Sequence, residues 1–357
     1  MHEGRQNTAT GMPVLPLESM CSMRLMPRRC VLIESMTLRA SLAPSLGLLL
    51  LSALWAFGWL LPDLFPHSGA RTVPLPVGEA ILFSVFAATT SLIAAVRRLK
   101  YPRGRHGWAC AGVGVGFFVI PTTAAALAQQ WISNFDEVAV LCLTAVFAVV
   151  LDPYLQNGPP RGGKAALAAA LVAMAGILCL FPLEAPNSFR AGVALCVLFV
   201  TAFELAAMNC IAVRLARTFP VRSTLTMAAQ ASGASAFCFA VIAASSGSHP
   251  WTSSTLQVYV SRLLLVDIPG LFLLFWLLRK LAASRMTARF LLAPLFASLA
   301  GLALLPMLPP VRGMLGLLLL AGGSGWLAFA PPESGDQESI SIRATSIESP
   351  TRWLNED

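Results

Sequence analysis

Residues 45–62 read SLGLLLLSALWAFGWLLP, a stretch of eighteen residues without a charged side chain. A helix of about twenty apolar residues crosses a hydrocarbon core of roughly 30 Å, so this stretch is long enough to span a membrane. Comparable stretches follow at 77–96, 108–128, 138–155, 165–183, 191–213, 223–245, 256–278, 287–307 and 313–330. The sequence therefore predicts an all-α integral membrane protein with ten transmembrane helices.

The charges support this prediction, because Lys and Arg collect in loops on the cytoplasmic side of a membrane. Of the 25 basic residues, 21 lie at one set of alternating span ends, and Arg289 at the start of the ninth span is counted with these loop residues. The four on the opposite side are Arg71, Arg190, Arg262 and Arg312. Both termini are therefore predicted to be cytoplasmic, in a multi-pass protein of the cytoplasmic (inner) membrane.

The composition excludes several other classes of protein. Hydrophobic residues make up 56% of the chain and charged residues 12%, which is too apolar for a water-soluble globule. The formal net charge of +8 is spread over the loops between spans, so it predicts no nucleic-acid binding. The eight Cys and four His residues are dispersed, so we expect no disulfide framework, metal site or cofactor. Residues 158–165 nearly match a P-loop, but Ala165 stands where Mg²⁺ needs Ser or Thr, so an ATPase is not predicted.

We divide the chain into four parts. Residues 1–44 form an N-terminal cytoplasmic segment, in which Met36 is a second candidate for the start of translation. Residues 45–183 and residues 189–330 hold five spans each. Residues 331–357 are polar, Ser-rich and acidic, so we expect a disordered tail.

The two groups of five spans resemble each other. At an offset of 149 residues, SALWA at 52–56 aligns with TAFEL at 201–205, and AVFA at 145–148 aligns with PLFA at 294–297. Pro121 in the third span matches Pro269 in the eighth at nearly the same offset. Because five is an odd number, the second copy enters the membrane from the opposite side. The fold class is therefore predicted to be two inverted five-helix repeats, which are typical of secondary transporters.

The same stretches resemble a known family. ALWAFG at 53–58 is similar to the opening of the EamA-type repeat of the drug/metabolite transporter (DMT) superfamily. APLFASLAG at 293–301, followed by Arg312-Gly313 and residues 317–322, resembles the end of its second repeat. The resemblance covers residues 45–329 and implies a ten-span permease for small metabolites, often an exporter, with a cavity lined by spans one to four and six to nine. The chain departs from the family pattern at Ala145, where many members have Pro.

Ionisable residues inside a span are functional candidates, because placing a charge in a membrane costs at least about 2.5 kcal/mol. Glu204 lies at the centre of the sixth span, with Thr201 and Met208 on the same helical face. We predict that this face binds a polar or cationic group of the substrate or carries a coupling proton. The alternative is that Glu204 hydrogen-bonds a neighbouring helix and orients packing.

Three further residues complete the predicted site. Asp267 lies in the eighth span, two residues before Pro269, whose ring opens the helix there, and it has the same two alternatives as Glu204. Trp55 in the first span offers a ring for stacking on a substrate, or else packs in the core or against lipid. Gln230 in the seventh span belongs to a polar strip that either lines the cavity or joins helices. No catalytic or metal-binding residue is predicted.

Small residues predict close contacts between helices. Gly112, Gly114 and Gly116 lie inside the third span and indicate that another helix approaches it there. The Ala-rich face at 165–175 of the fifth span favours either a homodimer or packing within the monomer.

The leading interpretation is a secondary transporter, and not an enzyme, that moves a small organic metabolite or drug by alternating access. Its partners are then a small-molecule substrate and the lipid bilayer. The alternative is a membrane-embedded enzyme acting on a lipid-linked substrate, although such enzymes cluster their acids and bases at one interface. A receptor or assembly subunit is disfavoured, because the short loops leave no room for a folded domain between spans.

Overall fold

A computed structural model describes residues 27–64, 75–155, 163–220, 223–245, 259–304 and 310–329 of the chain, with the backbone alone for 27–41 and 61–64. The chain divides into two compact units, Met1–Ala43 and Pro44–Asp357. All contacts discussed below lie within the second unit. The predictions for residues 1–26 and for the tail from 331 onward fall outside the described residues.

Ten helices in these ranges are long and apolar enough to cross a membrane, which confirms the predicted all-α class and the number of spans. The inverted relation of the two groups of five stays a prediction. In chain order they are α1 (Pro27–Leu64, apolar over Leu42–Leu60), α2 (Leu75–Val96), α3 (Arg105–Ala128), α4 (Asn134–Leu155), α5 (Gly163–Leu180), α6 (Phe189–Thr218), α7 (Thr224–Ser245), α8 (Tyr259–Lys280), α9 (Ala283–Leu304) and α10 (Val311–Phe329). The described residues contain no β-strand.

Several helix boundaries differ from the prediction. Helix α1 begins at Pro27 and α4 at Asn134, eighteen and four residues before the predicted starts. Helix α6 continues to Thr218, because helical backbone bonding persists beyond the last residue that an apolar count includes. Helix α9 starts earlier than predicted, with one turn at Ala283–Met286 and two turn residues before the main helix Arg289–Leu304. The earlier start places Arg289, the third residue of the predicted span, more than one turn inside the helix.

Helices α3 and α8 share an unusual element. Each contains one π-helical turn, at Val115–Val119 in α3 and at Leu263–Asp267 in α8. Pro121 and Pro269 follow these turns after one intervening residue. A proline lacks an amide hydrogen, and its ring clashes with the carbonyl four residues before it. A π-helical turn is wider than an α-helical one and relieves that clash, so we call the segments Val115–Val119 and Leu263–Asp267 the wide turns of α3 and α8. The two elements are separated by 148 residues, nearly the offset that relates the two groups of spans in the sequence.

The most extensive helix contacts join the first five helices to the last five. They are the pairs α5 with α10, α2 with α7, α4 with α6 and α3 with α7. The pairs α5–α10 and α2–α7 each combine helices that occupy the same position in the two groups of five. The buried core therefore lies between the two groups, where apolar side chains from both are excluded from the surface.

Small residues bring α5 and α10 into backbone contact. A Cβ atom built on Gly176 would lie 2.5 Å from the amide nitrogen of Leu320, and one on Gly323 would lie 2.5 Å from the carbonyl oxygen of Ala169. Ala169 and Ala173 of the same α5 face are buried. The part of α5 at Ala169, Ala173 and Gly176 is thus covered within the monomer, whereas Ala165, Ala168 and Ala175 are exposed. A homodimer through other surfaces stays a prediction.

Gly114 provides a sharp test of helix packing, with Gly112 on the same helix as its matched control. A Cβ atom on Gly114 would lie 2.0 Å from the backbone oxygen of Ala231 in α7, whereas one on Gly112 meets nothing within 4 Å. We expect Gly114→Ala to destabilise the protein by about 1–3 kcal/mol, because backbone cannot move aside as a side chain can. Gly112→Ala should stay close to wild type or gain slightly, since Ala favours helix. Thermal unfolding of both variants in detergent measures the difference, and equal midpoints would contradict the packing described here.

Candidate functional site

Helices α3 and α6 create a pocket for one acidic side chain. Glu204 and Met208 lie one turn apart on α6, and both reach toward Gly116 in the wide turn of α3. A Cβ atom on Gly116 would lie 2.6 Å from Glu204 Oε1 and 2.9 Å from Met208 Sδ, so only glycine leaves room for these side chains. The structure therefore brings Glu204 and Met208 together on one face, at the spacing the sequence predicts.

The carboxyl group of Glu204 has no donor near it among the described residues. Both of its oxygen atoms are buried and accept no hydrogen bond there. A buried carboxyl group without a donor is costly, and more so when ionised. A proton on the group or a hydrogen-bond donor on a bound solute would remove that cost. The packing alternative, in which Glu204 bonds a neighbouring helix, has no described hydrogen bond to support it.

Arg289 is the largest fully buried side chain in the described part of the chain, with none of its surface exposed. Arg289 was expected with the basic residues of the cytoplasmic loops, at the start of the ninth span, but its full burial shows that it does not lie in a loop. Helix α9 begins six residues earlier, at Ala283, so Arg289 lies more than a turn inside the span. Hydrophobicity alone missed it because the residues before it, including Arg285, look like a loop.

Three aromatic rings surround the Arg289 guanidinium. Its central carbon lies 4.6 Å from the ring centre of Phe290, 5.0 Å from that of Phe117 and 5.2 Å from that of Trp55. Trp55 and Phe290 also contact each other, with 6.0 Å between ring centres. Cation–π attraction is strongest where water is absent, so these rings offset part of the cost of burying the charge. The four residues come from α1, α3 and α9.

Asn209 holds the guanidinium in place from α6. Its side-chain oxygen accepts a hydrogen bond of 2.9 Å from Arg289 Nη2, and its amide nitrogen donates one of 2.7 Å to the carbonyl of Leu205. The second bond fixes which way the amide group points. Arg289 Nη1 donates a longer bond of 3.3 Å to the carbonyl of Met286. Asn209 is fully buried, like Arg289, so both groups depend on these protein partners.

Trp55 is the predicted residue that the structure joins to this cluster most directly. Besides facing Arg289, it lies against Gly270 just beyond the wide turn of α8, where a Cβ atom would be 3.7 Å from Trp55 Nε1. The offset of 149 residues aligns Trp55 with Glu204. Glu204 in turn lies against Gly116 in the wide turn of α3. Each aligned residue thus contacts the region of the wide turn in the opposite group of helices.

Asp267 belongs to a separate polar group. Its carboxyl oxygen Oδ2 forms an ion pair of 3.4 Å with Nε of Arg262, and both residues lie in the first half of α8. Glu79 of α2 is close enough to both for electrostatic interaction. The hydroxyl of Tyr259 donates a hydrogen bond to the carbonyl of Gly78, which joins the starts of α8 and α2. Asp267 therefore has a charged partner in this conformation, unlike Glu204.

Two other predicted residues lie outside the Arg289 cluster. Thr201 is buried and donates its hydroxyl hydrogen to the carbonyl of Val197, and it borders a groove lined by residues 186–201.

Gln230 donates a bond of 2.9 Å to the carbonyl of Pro102 and lies near Gly107. Gly107 is nine residues from Gly116 on α3, roughly 13 Å along the helix. The contacts of Gln230 thus favour the helix-joining alternative.

Sequence reasoning missed Arg289, Asn209, Phe117 and Phe290. One signal for Asn209 was present, because an amide side chain in the middle of an apolar span needs a polar partner. For Arg289, the apolar residues that precede it at 281–283 show that a helix can start earlier. The two rings carry no signal, since Phe is common throughout membrane helices.

The comparisons with known proteins establish a fold. Neither a protein-family model nor a curated protein sequence matches this chain. Twenty-eight chains of solved structures do match it. One, described only as a crystal structure of a protein, aligns with 81% of this chain and 98% of its own length, with a TM-score of 0.63 and 18% sequence identity. At that identity the likeness concerns the fold alone.

Proposed function

We propose that this protein is a secondary transporter of the drug/metabolite type, which exports a small organic metabolite or drug across the cytoplasmic membrane by alternating access. The observation that carries the proposal is the matched pair of wide turns in α3 and α8. A proline follows each turn at the same spacing. The turn in α3 lies beside Glu204 of the second group of helices, and Gly270, just after the turn in α8, lies beside Trp55 of the first group. Trp55 and Glu204 are the residues that the 149-residue offset aligns. Two inverted copies that meet at a shared central cluster would have this arrangement.

The wide turns supply positions at which helices can bend. A π-helical turn next to a proline weakens the regular backbone hydrogen bonding, so the two parts of α3 or α8 can change their angle at low cost. Glu204 lies against Gly116 and Arg289 lies against Phe117, and both Gly116 and Phe117 belong to the wide turn of α3. A change of angle would therefore alter access to both groups. This is the coupling between shape and binding that alternating access requires.

Contacts close the bundle at both ends in this conformation. Near the start of the apolar part of α1, Arg285 donates hydrogen bonds of 2.9 Å to Ser45 Oγ and 2.7 Å to the carbonyl of Ala328. At the opposite end, Tyr259 bonds the carbonyl of Gly78. Transport would break one of these connections while the other holds. The full burial of Arg289 between them is consistent with an occluded state.

Replacing Glu204 with Gln tests the proposed function. Cells that overproduce the wild-type protein should tolerate at least one metabolite or toxin better than control cells. Glu204→Gln keeps the shape but removes the charge and the ability to carry a proton, so we expect the protection to fall at least about tenfold, the value of one charged hydrogen bond. The measurement is the tolerated concentration, together with the amount of protein in the membrane.

Glu184→Gln is the matched control, because Glu184 is exposed in the connection between α5 and α6. This variant should protect cells as well as wild type does. If overproduction changes tolerance to no compound and causes none to be exported, or if Glu204→Gln protects fully, the proposal is wrong.

A further inference from the structure

Arg289 differs from the other arginines whose contacts the structure describes. Arg279 donates to the carbonyls of Ala216 and Phe219 at the end of α6, and Arg285 donates to the carbonyl of Ala328 at the end of α10. Helix ends expose carbonyl groups that suit a cation, so those two arginines have structural roles. Arg262 is paired with Asp267. Arg289 has no acidic partner among the described residues, and its bond to a helical end, the carbonyl of Met286 after the single turn Ala283–Met286, is long at 3.3 Å.

The guanidinium of Arg289 is also incompletely bonded. It has five N–H hydrogens to donate, and its described bonds go to Asn209 and Met286. Nε is buried and has no hydrogen-bond partner in the part of the chain that the structure describes. The three surrounding rings attract the positive charge through their faces but accept no strong N–H bond. A buried cation with free donors and no counter-charge is a place where an anion can bind.

The surroundings of Arg289 orient it before any solute arrives. Asn209 fixes one nitrogen of the guanidinium, and the bond from Asn209 to the carbonyl of Leu205 fixes Asn209 in turn. Phe117, whose ring faces the guanidinium, belongs to the wide turn of α3, so bending there would uncover this group. A binding group held in this way loses little conformational entropy when a ligand binds.

We propose that Arg289 binds the negatively charged oxygen group of an organic solute, a carboxylate or a phosphate, whose apolar part lies against Trp55, Phe117 and Phe290. The planar guanidinium matches both groups, since each can accept two parallel hydrogen bonds from Arg. The aromatic rings beside it favour a solute with an apolar or aromatic body. This inference names the substrate class of the proposed transporter, and it rests on that function for the movement that admits the solute.

The test measures ligand binding to the purified full-length protein in detergent, and the readout is the midpoint of thermal unfolding. Benzoate and phenyl phosphate serve as probes, and benzamide and benzylammonium are neutral and cationic molecules of similar shape. We expect the two anions to raise the unfolding midpoint and the other two to leave it unchanged. The larger of the two anion shifts shows whether carboxylate or phosphate is preferred. Equal shifts for benzamide, or none for either anion, would overturn the proposal.

Substitutions then assign the binding to one residue. Arg289→Gln should weaken binding of the anions at least about tenfold, because a charged hydrogen bond is lost. The affinity of Arg289→Lys for the anions should lie between those of wild type and Arg289→Gln, since Lys keeps the charge without the paired donors. Arg312→Gln is the control, because Arg312 is exposed and bonds only the carbonyl of Leu178 among the described residues. Undiminished binding by Arg289→Gln would contradict the assignment.

A second measurement uses the wild-type protein and does not depend on the folding of any variant. Phenylglyoxal modifies arginine, and mass spectrometry reports the modified fraction at each position. Benzoate should slow modification of Arg289 and leave that of Arg312 unchanged, whereas benzamide should protect neither. Equal modification of Arg289 with and without benzoate would overturn the proposal. These binding measurements do not depend on transport. Anion binding without export in the tolerance assay would refute the proposed function alone. Export that Arg289→Gln leaves intact would refute this inference alone.

Discussion

Replacing Asn209 with Leu is expected to cause a large loss of stability, about 3–5 kcal/mol. The substitution removes the side chain that accepts the 2.9 Å hydrogen bond from Arg289, while the charge itself stays fully buried. Removing the acceptor of a buried charged donor is costly because no water replaces the lost bond, and only the longer bond to Met286 and the three rings remain. The free energy of unfolding, measured by denaturant titration in mixed micelles, gives the loss directly.

A second substitution should restore most of that stability. Arg289→Met, added to Asn209→Leu, replaces the buried charge with an apolar side chain, so the double variant should be more stable than Asn209→Leu alone. The resulting double-mutant cycle measures the coupling between the two residues. Thr201→Val on the same helix is the control, because its hydroxyl bonds only the carbonyl of its own helix and its loss should cost less than about 1.5 kcal/mol. If adding Arg289→Met lowers stability further, the buried charge is not what makes Asn209 necessary.

The pattern of apolar runs predicts the ten spans, because membrane crossing depends on length and composition alone. It also predicts the common face of Glu204 and Met208, because helical spacing is regular through the middle of α6. Both features are local, and local periodicity determines them. The structure agrees with both, and it adds the neighbour that neither periodicity nor composition identifies, the wide turn of α3 at Gly116.

Features that depend on which helices meet could not be predicted in the same way. Gly112, Gly114 and Gly116 look alike in the sequence, yet Gly112 has open space, Gly114 contacts the backbone of Ala231 and Gly116 faces side chains. The prediction of close contact is confirmed for two of the three and wrong for Gly112. Gly112 and Gly116 are four residues apart and lie on nearly the same face of the helix, whereas Gly114 lies on the opposite side. Spacing along the sequence therefore cannot say which of the three glycines a neighbouring helix covers.

Arg289 shows why charge alone misleads near the end of a span. The rule that basic residues mark loops is statistical, and a residue one turn inside a helix cannot be distinguished from one just before it. What distinguishes Arg289 is its set of long-range partners, Asn209 from α6 and the rings from α1 and α3. Those partners lie at least 80 residues away, so only the tertiary fold brings them together.

Replacing Gly116 with Leu should abolish the export proposed above and cost less stability than a clash with backbone would. The added side chain would occupy the space of the Glu204 carboxyl group and the Met208 thioether, which lie 2.6 and 2.9 Å from the position of a Cβ atom. These neighbours, together with Met208 Cγ at 2.8 Å, are atoms of flexible side chains, so they can rotate away at smaller cost than the backbone that Gly114 contacts. Rotation would carry Glu204 out of its position, and displacements of about 1 Å in a functional group can cost on the order of a hundredfold in rate.

The measurement pairs export with stability in the same preparations. Export of the compound found in the tolerance screen is followed in vesicles and normalised to the amount of Gly116→Leu protein, and the unfolding midpoint is recorded beside it. Gly112→Leu is the matched control, because it adds the same side chain to the same helix where nothing lies within 4 Å. We expect Gly112→Leu to export at wild-type rates. Normal export by Gly116→Leu would show that export does not depend on the position of Glu204, because the Glu204 side chain would then be displaced without consequence.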